Sequence, residues 1–167
     1  VRSGQIIGLA GVSGNGQSAL ADLVGGLIRP AQGTLMIDGS ETTNWSPRAA
    51  VASGIARIPE DRHKTGTISD FDLTENAILE LYAQAPYSRK GWMNWGVARG
   101  FTANIIKTYD VRCPGPETRI RLLSGGNMQK LILGRVLETD PVIVLANQPV
   151  RGLDIGALTY VHEQLLA

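Results

Sequence analysis

One stretch near the start of the chain has the residue types that bind phosphate groups. It reads Gly11-Val12-Ser13-Gly14-Asn15-Gly16-Gln17-Ser18 and joins an apolar segment to an amphipathic one. Glycines permit positive φ and close approach, so successive backbone N–H groups can point into one concavity around a triphosphate. A helix that begins near Gly16 adds its N-terminal partial positive charge. We therefore predict a phosphate-binding loop, hereafter the phosphate loop, with Gly11, Gly14, Asn15, Gly16, Gln17 and Ser18 as its binding residues.

The phosphate loop lacks the positive charge that such a loop usually carries. The motif has a lysine before its Ser/Thr, whereas Gln17 stands before Ser18 in this chain. At about 4 Å and an effective dielectric of roughly 20, one charge pair is worth on the order of 4 kcal/mol, much of which water and metal would offset. We therefore expect weakened nucleotide binding, with the Ser18 hydroxyl as a magnesium ligand. On this motif alone, a glycine-rich turn without any ligand remains an alternative.

A second glycine-rich helix start lies much later in the sequence. It reads Leu123-Ser124-Gly125-Gly126-Asn127-Met128-Gln129-Lys130. A serine hydroxyl and unobstructed N–H groups at a helix N-terminus form a second site for an anion, with Ser124, Gly125, Gly126 and Asn127 as its binding residues. One chain needs two such sites only if they serve different nucleotides. The alternative is an ordinary serine N-cap with a tight Gly-Gly entry into the helix.

Alternating strands and helices are predicted to position these two sites. The predicted strands are the apolar segments 5–10, 33–39, 55–58 and 142–146. Helices with an apolar face are predicted after Gly16, Ser46, Ser124 and Asp154. A further helical region runs from Thr74 to about Tyr109, with a polar break over 88–95. This alternation predicts an α/β fold.

The composition argues against several classes of protein. A chain of 167 residues predicts roughly one domain. A net charge of +1, from 16 basic and 15 acidic residues, argues against a nucleic-acid partner. No apolar run approaches the ~18 residues of a membrane span, so any role at a membrane requires a partner that spans it. The start at Val1 without a methionine and the end at Ala167 in mid-pattern predict a piece of a longer protein.

The motifs and their order resemble those of the ATP-binding cassette (ABC) ATPases. The phosphate loop is similar to the Walker A motif, Leu123–Lys130 to the LSGG signature, Val142–Gln148 to Walker B and Gly152–Asp154 to the D-loop. The resemblance covers essentially the whole chain and implies an α/β P-loop NTPase fold, with a RecA-like core and an inserted helical subdomain, truncated at both ends. It makes the chain one partial nucleotide-binding domain, with its core over 1–69 and 124–167 and the helical subdomain over about 70–123.

The resemblance also implies ligands and roles for particular residues. ATP and Mg²⁺ are the expected cofactors, and Asp154 of the D-loop joins the expected nucleotide-binding residues. Cassettes of this family pair head to tail, so that each signature closes on the ATP held by the partner's phosphate loop. Glu60 stands where most cassettes have the Q-loop glutamine, which senses the γ-phosphate. Its carboxylate could face magnesium, and the alternative is a solvated acid in a loop.

The Walker B positions carry amides in place of acids. In the family an Asp holds magnesium through water and a Glu polarises the attacking water, but these positions are Asn147 and Gln148 here. Neither amide accepts a proton at neutral pH, although a glutamine can still orient water. Gln148 therefore marks a degenerate catalytic position, and Asn147 is expected to be a weak magnesium ligand. We expect a cassette that binds nucleotide poorly, hydrolyses it negligibly and lends its signature to a competent partner site.

Four stretches resemble the second cassette of tandem-cassette bacterial importers. They are Gly11–Ser18, Ile58–Arg62, Leu123–Asn127 and Arg151–Ala157. Nucleoside import is favoured, and the alternatives are a simple-sugar importer and a structural cassette that never binds nucleotide. The expected partners are an upstream cassette in the same polypeptide, transmembrane permease subunits and, indirectly, a substrate-binding protein, without nucleic acid. The expected location is the cytoplasmic face of the bacterial cell membrane, as a peripheral protein.

Overall fold

Two compact units make up the chain, Val1–Ser53 and Gly54–Ala167. The computed structural model describes residues 1–12, 14–42 and 44–166. Ser13 of the predicted phosphate loop therefore lies outside the described residues. Each unit is described by itself below.

The first unit contains two short helices and one hairpin. Its elements are α1 (Gln17–Val24), β1 (Met36–Ile37), β2 (Ser40–Glu41) and α2 (Pro47–Ala52). The strands pair antiparallel around Asp38 and Gly39, whose φ values of 48° and 71° are those of a type I′ turn. The helix predicted after Ser46 is confirmed, since the Ser46 hydroxyl accepts a hydrogen bond from Ala49 N at 3.2 Å.

The strand predicted over residues 5–10 is wrong. Its apolar side chains are exposed, by 76% at Ile6, 57% at Ile7 and 65% at Leu9. A strand exists only where a neighbour accepts its backbone hydrogen bonds, and no described strand pairs with this segment. Helix α1 is present as predicted, but none of its residues is buried, and Leu27, expected on its apolar face, is 55% exposed beyond the helix end.

A close backbone contact closes the first unit between its two helices. Trp45 is only 4% exposed, and its Nε1 donates to the Leu23 carbonyl at 2.7 Å. Beside it Gly26 has a φ of +78°, and a Cβ built there would lie 2.4 Å from the carbonyl carbon and oxygen of Ser46. Only glycine therefore fits at position 26 without moving the backbone.

The second unit is built around a pair of parallel strands and one buried helix. Strand β3 (Ile55–Ile58) pairs with β6 (Ile143–Ala146), from Ile55 opposite Ile143 to Ile58 opposite Ala146. The other elements are a π-helical turn (Arg62–Gly66), α3 (Leu73–Ala77), the hairpin β4 (Ser88–Arg89) and β5 (Trp92–Met93), α4 (Trp95–Thr108), a 3₁₀ turn (Ile120–Leu122), α5 (Gly125–Leu137) and α6 (Ile155–Leu166). Both predicted strands are confirmed to within one residue.

Helix α5 lies at the centre of the core. The predicted apolar face is confirmed, since Met128, Leu131, Ile132 and Val136 are all at most 2% exposed. Ile58, Ile105 and Val161 belong to the same cluster, so that β3, α4 and α6 all contribute to it. Within the described ranges 1–12, 14–42 and 44–166, no helix is both long and apolar enough to cross a membrane.

The helical region predicted from Thr74 to Tyr109 is only partly helical. Helix α3 starts with a capping box between Asp72 and Glu75 but ends after Ala77, and residues 78–87 form turns. A contact of the Asn76 carbonyl accompanies this early end, because it accepts from Arg135 Nη1 at 3.0 Å in place of the N–H of residue 80 that would continue the helix. Pro86 also disfavours helical geometry in the residue before it. The predicted polar break is the β4–β5 hairpin.

Candidate functional site

The phosphate loop has an open backbone that suits an anion. Gly14 and Gly16 have φ values of 93° and 91°, and a Cβ built on either would meet nothing within 4 Å. Helix α1 begins directly after Gly16, and it has no acidic residue in its first turn. No side chain of the residues that the structure describes caps its N-terminus. Its first N–H groups are therefore available to a phosphate group. The geometry fits the phosphates of a nucleotide.

Gln17 lies against the first glycine of the phosphate loop. A Cβ built on Gly11 would lie 2.8 Å from Gln17 Nε2, so the missing side chain of Gly11 leaves the room that this amide occupies. The Gln17 side chain thus returns over the loop as a neutral donor where the motif has a cation. Ser18 and Asn15 are exposed beside it.

The amides predicted at the Walker B positions follow the end of β6. Asn147 N donates to the Ile58 carbonyl at 2.9 Å, which continues the parallel pairing by one residue. Gln148 is exposed with a φ of +46°, and its carbonyl accepts from Arg151 N at 3.0 Å in the turn that follows. Asn147 and the segment that leads to Glu60 therefore leave the same edge of the strand pair.

Glu60 is engaged by an arginine rather than free. Its Oε1 accepts a hydrogen bond from Arg151 Nη1 in an ion pair, with the Glu60 side chain 29% exposed. Magnesium prefers charged oxygen ligands, but positions 147 and 148 are amides. The two carboxylates described at this edge, of Glu60 and Asp61, already accept hydrogen bonds from other groups. No group of three or more His, Cys, Asp or Glu in the described ranges is placed to hold a metal ion. The donors at this edge therefore do not fit Mg²⁺.

The signature stretch forms the N-terminus of α5, as predicted. The Ser124 hydroxyl caps the helix and accepts from Asn127 N at 3.4 Å and from Asn127 Nδ2 at 3.1 Å. Ser124 is exposed. Each glycine faces a close neighbour, since a Cβ would lie 3.3 Å from Arg62 Nη1 at Gly125 and 3.3 Å from Ala157 Cβ at Gly126. Both glycines thus have a packing reason beside their expected binding role.

The last predicted site residue, Asp154, caps α6. Its Oδ1 accepts from Ala157 N at 2.9 Å, and its side chain is exposed. The helix predicted after Asp154 is confirmed. The capping contact occupies one carboxylate oxygen and leaves the other without a hydrogen bond to the residues around it in the described part of the chain.

A contact that sequence reasoning missed connects three of these segments. Arg62 Nε donates to Gln129 Oε1 at 3.3 Å, and Arg62 Nη2 donates to the Arg151 carbonyl. Glu60 binds the guanidinium of the same Arg151. We call Glu60, Arg62 and Arg151 the arginine clamp. Arg62 and Glu60 lie 89 and 91 residues before Arg151 in the sequence, and no local pattern signals such contacts.

The π-helical turn fixes the backbone of Arg62. Asp61 Oδ1 accepts from the N–H groups of His63 and Lys64, both at 3.0 Å, and Thr67 Oγ1 donates to the Arg62 carbonyl at 2.8 Å. The hydrogen bond from Lys64 N lowers the pKa of Asp61, followed by that from His63 N and by the nearby positive charges. The turn therefore favours the ionised carboxylate.

Asp61→Asn is expected to weaken the π-helical turn at neutral pH but much less at pH 3. A carboxyl whose pKa is lower in the folded state contributes stability above its unfolded pKa of about 3.9, and loses it as the pH falls through the folded pKa. Hydrogen-exchange protection of the His63 and Lys64 amides, measured at both pH values, reports this difference. Glu163→Gln, at an exposed position on α6, is the control. An equal loss of protection at both pH values would contradict the assignment to charge.

Comparison with known proteins identifies the family. The sequence model described as ABC transporter matches residues 1–151. The chain belongs to the ABC transporter family. Solved ABC cassettes also share the fold. One is a dimeric bacterial ABC transporter cassette, with a TM-score of 0.73 and 24% identity over 92% of this chain and 65% of that chain. The predicted α/β P-loop NTPase fold is confirmed.

The relatives of this ABC cassette include import proteins of two substrate classes. It is 45% identical to the guanosine import ATP-binding protein NupO of Bacillus subtilis and 34% identical to the nucleoside import ATP-binding protein NupA of Lactococcus lactis, over 99% of this chain in each case. It is 39% identical, over 97% of this chain, to a putative ribose/galactose/methyl galactoside import ATP-binding protein of Agrobacterium fabrum. The chain spans about a third of each of these relatives, 32%, 33% and 32% of their length.

Proposed function

We propose that this chain is the degenerate nucleotide-binding cassette of a bacterial nucleoside importer. One observation carries the proposal: the three positions where the family has charged catalytic groups are the amides Gln17, Asn147 and Gln148, while the signature start at Ser124 is intact and exposed. Independent loss of function would not select those three positions and leave the signature in place. The chain then divides into a core over 1–69 and 124–167 and a helical subdomain over about 70–123.

The chemistry of the three amides makes hydrolysis at this site negligible. General-base assistance contributes typically 10²–10⁴-fold to a rate, and Gln148 cannot accept a proton from the attacking water. In the phosphate loop, backbone N–H groups of Gly11 to Ser18 would hold the triphosphate, with Gln17 as a neutral donor. Of the expected Mg²⁺ ligands only the Ser18 hydroxyl would remain, so this site would hold the ion weakly and gain little of the charge neutralisation that it supplies when bound. ATP is therefore bound weakly and cleaved too slowly to matter.

The intact signature gives this cassette its role in a pair. Ser124 caps α5 yet stays exposed, and the N-terminus of a 13-residue helix attracts negative charge. We infer that Ser124, Gly125, Gly126 and Asn127 approach the triphosphate held by a second cassette, upstream in the same polypeptide. The site that hydrolyses ATP would then lie on the other cassette, completed by this one.

The relatives support nucleosides as the transported substrate. The guanosine and nucleoside import proteins match over 99% of this chain, the first of them at 45% identity. The match at 39% to the sugar-type protein keeps a simple-sugar importer as the second candidate. In either case transmembrane permease subunits and a substrate-binding protein would complete the transporter. The cassettes would then be peripheral, at the cytoplasmic face of the cell membrane.

Ser124→Arg is expected to lower ATP turnover of the complete transporter at least tenfold. The arginine would place a long side chain where the partner's triphosphate approaches, whereas loss of the cap alone costs about 1 kcal/mol in helix stability. Ser124→Ala removes the hydroxyl, and with it the cap and one predicted ligand of the triphosphate, without adding bulk, so it should lower turnover less than Ser124→Arg. Ser3→Arg, at an exposed turn of the first unit, is the matched control. Wild-type turnover in a folded Ser124→Arg transporter would show that the signature completes no active site.

A further inference from the structure

Arg151 is held at both of its ends by one short segment. Arg62 Nη2 donates to its carbonyl, and Glu60 accepts from its guanidinium. The two holding residues are separated only by Asp61, which caps the turn behind them. The position of the turn over residues 148–154 is therefore set by the arginine clamp and not only by the strand before it.

Arg62 also contacts the start of α5. Arg62 Nε donates to Gln129 Oε1 at 3.3 Å, and Gln129 is only 2% exposed. Gln129 Nε2 is buried and has no hydrogen-bond partner among the described residues, so the contact with Arg62 is the one that orients this amide. Arg62 Nη1 lies 3.3 Å from the position of a Cβ on Gly125, in the space that this glycine leaves free. Arg62 thus fits against the signature itself.

The backbone beneath Arg62 is anchored to the same helix. Gly66, at the end of the π-helical turn, is buried, and a Cβ built there would lie 3.1 Å from Ile132 Cδ1 of α5. Thr67 Oγ1 lies 3.8 Å from Met128 Sδ. The turn that carries Arg62 therefore cannot move without disturbing the face of α5 that begins at the signature.

We propose that Arg62 is a positioning residue that fixes the D-loop turn, residues 148–154, relative to the signature start of α5. The proposal rests on the proposed function, because it concerns the surface that this cassette presents to the partner's ATP. A guanidinium is required for its shape, since Nε and Nη2 donate in different directions to two separate acceptors. Lysine has a single donor centre and reaches only one of the two at a time.

Hydrogen exchange in the full-length protein tests directly whether Arg62 connects the D-loop turn to the start of α5. In Arg62→Gln, amide exchange in residues 124–128 and in residues 148–154 is expected to rise together, by roughly three- to tenfold. Arg99→Gln is the matched control, because the Arg99 side chain is 57% exposed and makes only a surface ion pair with Glu117 at 3.6 Å. Arg62→Lys should behave like Arg62→Gln. Unchanged exchange in either segment, or full rescue by lysine, would overturn the proposal.

Steady-state kinetics of the complete transporter test the consequence. Arg62→Gln and Arg62→Lys are expected to lower kcat at the partner site about tenfold and to change KM for ATP less than twofold. They misplace the signature of this cassette but leave unchanged the phosphate-binding loop of the partner cassette, which holds the ATP. Raised exchange with an unchanged kcat would refute a positioning role. Ser124→Arg, measured in parallel, separates the proposed function from the positioning role of Arg62. If it abolishes turnover while the Arg62 variants match Arg99→Gln, the proposed function stands and the role of Arg62 falls.

Discussion

Replacing Gln17 with Lys, Asn147 with Asp and Gln148 with Glu together is expected to raise ATP turnover at this site by about 10²–10⁴-fold. The range is that of general-base assistance, which Gln148→Glu would restore. Asn147→Asp adds a carboxylate for magnesium to an edge where Glu60 is already paired with Arg151. Gln17→Lys returns the missing cation to the phosphate loop. Each change alone leaves two of these three functions absent, so the gain should appear only in the triple variant.

The backbone accepts the changes at positions 147 and 148 without additional strain. Gln148 has a φ of +46°, and glutamate is as unbranched as glutamine, so the cost of this conformation is the same for both residues. The hydrogen bond that places Asn147 runs from its backbone N to the Ile58 carbonyl, and is independent of the side chain. The variant therefore tests chemistry and not folding.

The measurement uses the full-length protein with nucleotide binding by the other cassette abolished, so that only this site contributes. Turnover is compared with equilibrium binding of a fluorescent ATP analogue. Gln17→Lys alone should tighten binding by roughly tenfold, equivalent to about 1.4 kcal/mol, without turnover. Binding without turnover in the triple variant would mean that the amides do not account for the inactivity. A wild-type protein that binds no analogue at all would favour the structural-cassette alternative.

Gly26→Ala is expected to destabilise the first unit by about 3 kcal/mol or more. A residue with a Cβ at a φ of +78° costs roughly 1–2 kcal/mol, and overpacking adds typically 1–3 kcal/mol. The clash is severe because its partners are backbone atoms, the Ser46 carbonyl carbon and oxygen at 2.4 Å. The contact of Trp45 Nε1 with the Leu23 carbonyl lies next to this site and should be lost with it.

Gly33→Ala provides the control for this prediction. Gly33 has a similar φ of +82°, but a Cβ there would meet none of the described atoms within 4 Å, so only the conformational cost of roughly 1–2 kcal/mol applies. Urea unfolding followed by Trp45 fluorescence, with Trp92 and Trp95 replaced by Phe, measures both variants. Equal losses of unfolding free energy at positions 26 and 33 would show that the close approach to Ser46 contributes nothing.

The features predicted from sequence are those set by neighbours a few residues apart. Ser46, Ser124 and Asp154 each cap a helix through an N–H three residues on, which the residue types themselves indicate. The apolar segment 55–58 predicts a strand for the same reason. In each case the residues that determine the structure lie within a few positions of one another, so the sequence alone indicates the structure.

The failures come from interactions that a local pattern does not contain. The segment 5–10 has the composition of a buried strand, yet no described strand pairs with it. The helix predicted beyond Ala77 ends where the Asn76 carbonyl accepts from Arg135 Nη1, 59 residues later in the sequence. At the candidate site the positions of the cap residues could be predicted, but the contact of Arg62 with Gln129 crosses 67 residues. Such contacts depend on the packed fold.

The arginine clamp constrains the number of residues that can separate Glu60 from Arg62. Glu60 and Arg62 reach opposite ends of Arg151 from positions two residues apart. Inserting or deleting one residue between them would move one of these two side chains relative to the other, so both contacts with Arg151 could not be kept together. Substitutions at the exposed His63 and Lys64 leave that spacing unchanged. Among homologous cassettes that keep this pair of contacts, one residue should therefore always separate the two positions, while residue types at positions 63 and 64 vary.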